Sequence, residues 1–200
     1  MSQVVETSIK NRIYGLGRGK CFTPDRFLDL GGDDAIRQSL SRLAKEGTIR
    51  RLAQGLYEYP RIHKTLGVLP PQAEQVIKAL TERDQITVQP SGAYAANLLG
   101  LSEQVPNKIV YLTQGSPRKI KIGNMEIILK RTSNKSMATA GKMSGLVIQA
   151  LLYLGKEHLD KDIASKLKRK LSAGDKKELM KDIKSAPIWM RGFLKEIAGV

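Results

Sequence analysis

The sequence predicts an α+β chain: an N-terminal winged helix-turn-helix, then a mixed α/β domain with a helical C-terminal part. Three observations carry that prediction. Residues 4–60 show three helix-period stretches followed by two short strand-like runs around Gly55. Residues 72–130 alternate short helix and strand signals, as a small mixed sheet requires. From Met143 onward only helical spacing remains.

The elements follow in order. Ile9, Ile13 and Leu16 put one apolar face on a helix over about residues 4–16, and Gly15, Gly17 and Gly19 break it. Thr23-Pro24-Asp25 is a helix start, with a hydroxyl cap, proline in the first turn and an acid beside it. Phe27, Leu28 and Leu30 follow, and Gly31-Gly32 ends that short helix. Asp33 and Asp34 read as caps of the next helix, in which Ile36, Leu40 and Leu43 share a face and which Gly47 closes. Residues 48–52 and 56–59 read as strands joined at Ala53-Gln54-Gly55, and Pro60 stops the second.

Residues 61–71 read as a linker whose apolar side chains (Ile62, Leu66, Val68, Leu69) are expected to pack on something. Beyond it the pattern predicts a helix over 72–83, a strand over 86–88, a small-residue helix over 91–99 and a strand over 109–113. A hairpin follows, 119–122 with 125–130 around Gly123-Asn124. Residues 143–154 are apolar nearly all round and predict a buried helix. A basic amphipathic helix over 160–171 comes next, then one over about 174–184 with Ser172 as its cap. Pro187 starts the last helix, which carries Trp189, Phe193, Leu194 and Ile197. The expected division is therefore 1–60, a linker over 61–71, and 72–200.

Composition narrows the function. A net charge of +15 over 200 residues suits a polyanionic partner: DNA, RNA or an anionic membrane surface. Residues 1–60 hold 10 Lys/Arg against 7 Asp/Glu, so most of the excess lies further along. No run of about 18 apolar residues exists, which excludes a transmembrane helix. Met1–Lys10 lacks a signal-peptide core and carries Glu6, so a cytoplasmic protein is expected. Cys21 is the only cysteine, which rules out an internal disulfide and reads as a small buried residue, not a redox switch.

The helix from Asp34 to Glu46 is the candidate reader of duplex DNA. With its aliphatic stripe buried, it presents Arg37, Gln38, Ser41, Arg42 and Lys45. Arginine pairs bidentately with guanine and glutamine with adenine in the major groove, while Ser41 and Lys45 suit phosphate. Arg50, Arg51 and Gln54 sit on or beside the wing, where backbone contact is expected. Such residues occur on most solvated helices; the ordered set of helices and hairpin is what points to double-stranded DNA. Tyr57 and Tyr59 are expected to pack rather than stack on bases.

Enzyme signals are weak. His63 and His158 lie in a linker and at a helix end, and no cluster has metal-ligand spacing. The glycines at 15, 17 and 19 follow a helix, not a strand, so they do not form a phosphate-binding loop. Ser91-Gly92 has no nearby base. No enzymatic activity, metal or cofactor is expected. The lysine-rich stretch from Lys161 to Lys184 suits a solubilising face, an acidic partner or supplementary phosphate contacts, but lacks the aromatic face of a membrane-surface helix. Two alternatives stay open: a protein-interaction module whose winged domain does not bind DNA, and an RNA-binding protein. Few aromatics are available for single-strand stacking.

Three runs, Ile36 to Leu40, Leu43 to Ile49 and Arg51 to Pro60, resemble the N-terminal domain of AbiEi-type antitoxins. The run Gly92 to Pro106 resembles that family's second domain, as do Val110 to Gly115 and Arg118-Lys119-Ile120. The resemblance covers about residues 8–135. It implies a type IV toxin–antitoxin system in which the winged domain represses its own operon by binding the operator. It also implies a second domain that counteracts a nucleotidyltransferase-like toxin without forming a stable complex with it. No catalytic residue is implied, and the implied DNA contacts fall on the reader-helix and wing residues already named.

Overall fold

The computed structural model describes residues 2–200 and shows a mixed α+β protein. The chain divides into two compact units, 1–85 and 86–200.

In the first unit, α1 (Ser2–Leu16) and α2 (Asp33–Lys45) flank a short 3-10 helix, Pro24–Leu30. Strands β1 (Cys21–Phe22), β2 (Arg50–Ala53) and β3 (Leu56–Glu58) form an antiparallel sheet in the order β1-β3-β2. Period-four spacing brings Ile9 and Ile13 of α1 against Ile36, Leu40 and Leu43 of α2, with Phe22, Phe27 and Tyr57 closing the core. Complete burial of an aliphatic or aromatic side chain contributes about 1.5–3 kcal/mol, so this one cluster dominates the unit's stability. Two ion pairs tie the helices: Arg12 grips Asp29 through two hydrogen bonds of 2.5 and 2.7 Å, and Arg42 meets Glu6 at 2.5 Å. The Arg12 guanidinium holds the Asp29 carboxyl below its usual range.

Several elements differ from expectation. The α2 N-cap is Gly32; Asp33 and Asp34 lie in the first turn, where they complement the helix dipole instead of capping it. Thr23 precedes the 3-10 helix without a side-chain capping bond. Residues 61–71 contain a small hairpin, β4 (Ile62–His63) with β5 (Gly67–Val68). Its apolar side chains do not pack: Ile62, Leu66 and Val68 are all more than half exposed. The division also falls later than expected. Helix α3 (Ala73–Asp84) packs on β1 and β3 and so belongs to the first unit, closing with Gln85 in a left-handed conformation (φ 52°).

The second unit opens with β6 (Val88–Ser91) and the short α4 (Gly92–Leu98), followed by β7 (Lys108–Thr113), β8 (Arg118–Ile122) and β9 (Met125–Arg131). The sheet order is β6-β7-β9-β8; β7 and β9 run parallel, and the other pairs are antiparallel. Then come α5 (Asn134–Met137), which the sequence pattern does not signal, α6 (Met143–Leu154), α7 (Lys161–Lys170), α8 (Ala173–Lys181) and α9 (Ile188–Ala198). Ser172 and Asp175 form a reciprocal capping box at the start of α8. The core gathers Val147, Ile148 and Leu151 of α6 with Leu167, Leu179, Met190, Leu194 and Ile197. Among the described residues, no helix is long and apolar enough to cross a membrane.

Gly145 marks the tightest approach in this unit. A Cβ there would press on the Thr139 carbonyl oxygen and lie 2.8 Å from Gln89 Oε1. The backbone oxygen cannot swing away as a side chain would, so Gly145→Ala should destabilise the second unit by at least ~1–3 kcal/mol, the usual cost of overpacking. Urea denaturation followed by Trp189 fluorescence checks this, because Trp189 is the only tryptophan.

Candidate nucleic-acid interface

Helix α2 sets the geometry. Ile36, Leu40 and Leu43 are fully buried, which turns Arg37, Gln38, Ser41, Arg42 and Lys45 outward, and all five are exposed. Across from it, β2 and β3 join through Gln54-Gly55, with Gly55 at φ 66°, where a side chain would be strained. The turn is only two residues long, so Arg51 and Gln54 sit close to the body of the unit.

The structure brings Arg37 and Ser41 of α2 together with Arg51 and Gln54 of the hairpin around an open groove of about 550 Å³. Arg83 from the last turn of α3 joins them, and Asp25 adds one carboxylate. Arg83 is the site residue that sequence reasoning missed. The sequence pattern places its helix in the other domain, and only tertiary packing carries it to Gly55, where an added Cβ would lie 3.9 Å from Arg83 Nη1. Arg83 also bonds Asp84 at 2.7 Å. Gln38 and Lys45 are exposed on α2 but do not line the groove.

Two of the expected site residues have other partners. Arg50, half-buried, is engaged within the unit. In the antiparallel register it stands opposite Glu58, which is fully buried, and it donates to Glu58 Oε2 through Nη2 at 2.5 Å and Nε at 3.0 Å. Its Nη2 also donates to the Leu69 carbonyl at 2.9 Å. Strand alternation explains the split: neighbouring residues face opposite sides, so Arg51 faces solvent where Arg50 does not. Arg42 is exposed, yet Glu6 of α1 holds its guanidinium at 2.5 Å, with Ser39 Oγ at 3.4 Å. By contrast, Arg37 has only a loose 3.8 Å approach to Asp33, with both side chains about two-thirds exposed. Such a pair contributes at most a few tenths of a kcal/mol and leaves the guanidinium available.

The aromatic residues pack. Tyr57 is buried and stacks near Phe22 at a ring separation of 6.3 Å. Tyr59 lies between Tyr14, at 5.5 Å, and the Arg18 guanidinium, at 4.6 Å. Cys21 pairs across the sheet with Glu58. Burial first, and the Glu58 carboxylate second, push its thiol up to about 12. Cys21 should therefore react with a disulfide reagent at pH 7.5 at least tenfold more slowly than a free thiol, since only the thiolate attacks. A reaction rate matching that of free cysteine would contradict this burial.

The family model for DUF6088, described as a family of unknown function, matches residues 8–179. The protein is similar in structure to the RV2827C protein from Mycobacterium tuberculosis, known from a crystal structure, with 13% sequence identity and a TM-score of 0.47. That alignment covers 99% of this chain and 77% of the other. No curated protein matches the sequence.

Proposed function

This chain belongs to the DUF6088 family, and we propose that it binds duplex DNA through a winged helix-turn-helix formed by the 3-10 helix, α2 and the β2–β3 hairpin. In this reading α2 enters the major groove and the hairpin rests on the flanking backbone. The observation that carries it is the groove where Arg37 and Ser41 face Arg51 and Gln54, on a helix whose opposite side is fully buried. Arg37 and Gln38 read base edges; Ser41, Lys45, Arg51, Gln54 and Arg83 hold the backbone. The protein acts as a transcriptional autorepressor on its own operator. The antitoxin role against a nucleotidyltransferase-like toxin rests on the AbiEi resemblance alone.

The test is binding to the DNA upstream of the gene, in competition with a scrambled duplex of equal length. A preference of at least a hundredfold is expected, and equal affinity for the two duplexes would remove the repressor reading. Arg51→Ala should weaken binding to every duplex alike and flatten the slope of log affinity against log salt by about one, the signature of one lost phosphate contact. A change of sequence preference with an unchanged slope would instead make Arg51 a base reader.

A further inference from the structure

The second unit holds a groove of about 420 Å³ between α5, the C-terminal half of α6 and the start of α9. Ile148 and Leu152, one turn apart on α6, form an apolar wall, and Ile188 stands on the α9 side. Lys135 and Arg191 supply two cations, and among the described residues no carboxylate lines the groove. Arg191 is fixed in place, because Nε donates to the Ala186 carbonyl and Nη2 to the Lys184 carbonyl, both at 3.1 Å.

Two apolar residues of the lining are exposed. Leu152 is 43% exposed and Ile188 82%. Their chain neighbours Tyr153 and Trp189 are 54% and 38% exposed. These are four of the six large apolar side chains that the unit leaves in water. Exposed apolar side chains at the rim of a groove fit an interaction surface.

We propose that this groove docks a segment of a partner protein that presents an aliphatic side chain flanked by carboxylates. Charge complementarity selects that occupant. The unit carries 20 Lys/Arg against 9 Asp/Glu, and the acid-free lining favours an incoming carboxylate. The Ile148–Leu152 wall and Ile188 offer nothing to a phosphodiester, which separates the site from a nucleic-acid surface. A second copy of this chain would bring its own +15 to the contact, so like charge opposes self-association there.

The probe is a fluorescein-labelled ten-residue peptide alternating leucine and glutamate, titrated against the full chain at physiological salt. Control peptides carry serine or lysine in place of glutamate. Ile188→Asp and Lys135→Glu change exposed side chains; thermal unfolding and circular dichroism confirm that each variant is folded. The leucine–glutamate peptide should bind saturably, at least tenfold tighter than either control, and each variant should weaken it about tenfold. Four results of the titration would overturn the proposal. They are no saturable binding, binding that both variants leave within twofold, equal affinity for the leucine–serine peptide, and displacement of the peptide by duplex DNA. A concentration-dependent dimer dispersed by Ile188→Asp would likewise overturn it, assigning the groove to a second copy.

Discussion

Arg50→Ala is expected to destabilise the first unit by about 3 kcal/mol, seen as faster hydrogen exchange at the β2 and β3 amides. Breaking a buried ion pair costs about 3–5 kcal/mol, because the remaining charge keeps its desolvation penalty and loses its partner. The low end applies here: Glu58 is fully buried, but the Arg50 side chain is one-third exposed. Glu58 Oε1 has no hydrogen-bond partner among the described residues, so the carboxylate depends on its bonds from Arg50 through Oε2. The double variant Arg50→Met/Glu58→Leu should recover most of the loss, since an apolar pair of similar volume leaves no unpaired charge. If Arg50→Ala instead left stability within about 0.5 kcal/mol and lowered DNA affinity, Arg50 would return to the interface as a phosphate contact.

Arg37→Ala is expected to relax sequence preference at one base pair by about 1–3 kcal/mol, the worth of a bidentate arginine–guanine contact. In binding-site selection, one position of the preferred site should become degenerate while the others keep their bias. Arg42→Ala should leave the selected site unchanged and instead loosen α1 against α2, because its guanidinium is held by Glu6. The two variants remove the same side chain from the same helix, so they separate base reading from helix clamping. A uniform loss over all sequences for Arg37→Ala would reassign it to the backbone. Sequence relaxation from Arg42→Ala would mean that Glu6 releases it on DNA.

Helix α2 and its buried stripe were legible because period-four spacing leaves one solution for Ile36, Leu40 and Leu43. The hairpin was legible from Gly55 between two strand-like runs. The pairing of Arg50 was not. Adjacent arginines look alike in sequence, and only the register opposite Glu58 decides which one turns inward. The tie between Arg42 and Glu6 spans 36 positions and leaves no local trace. The two-residue strand β1 is too short for any periodicity. The placement of α3 was hidden for a related reason: an amphipathic helix declares that it needs an apolar surface but not which one. The linker erred in the opposite direction, because apolar content there suggested packing that the β4–β5 hairpin does not make.

All three residues of β3 are buried, and neighbouring residues of a strand face opposite sides, so this strand is covered from both. With α3 packed on β1 and β3, the hairpin has one fully covered strand, β3, beside the partly exposed β2. Its two-residue tip is carried by a stiffened lever, and Arg51 and Gln54 start close to a single position. A ligand meeting such a tip has little backbone motion to freeze, so less of the contact energy is spent on ordering. On the proposed DNA-binding reading, the same stiffness would limit how far the tip follows a bent or widened duplex and favour targets whose backbone already has the matching shape.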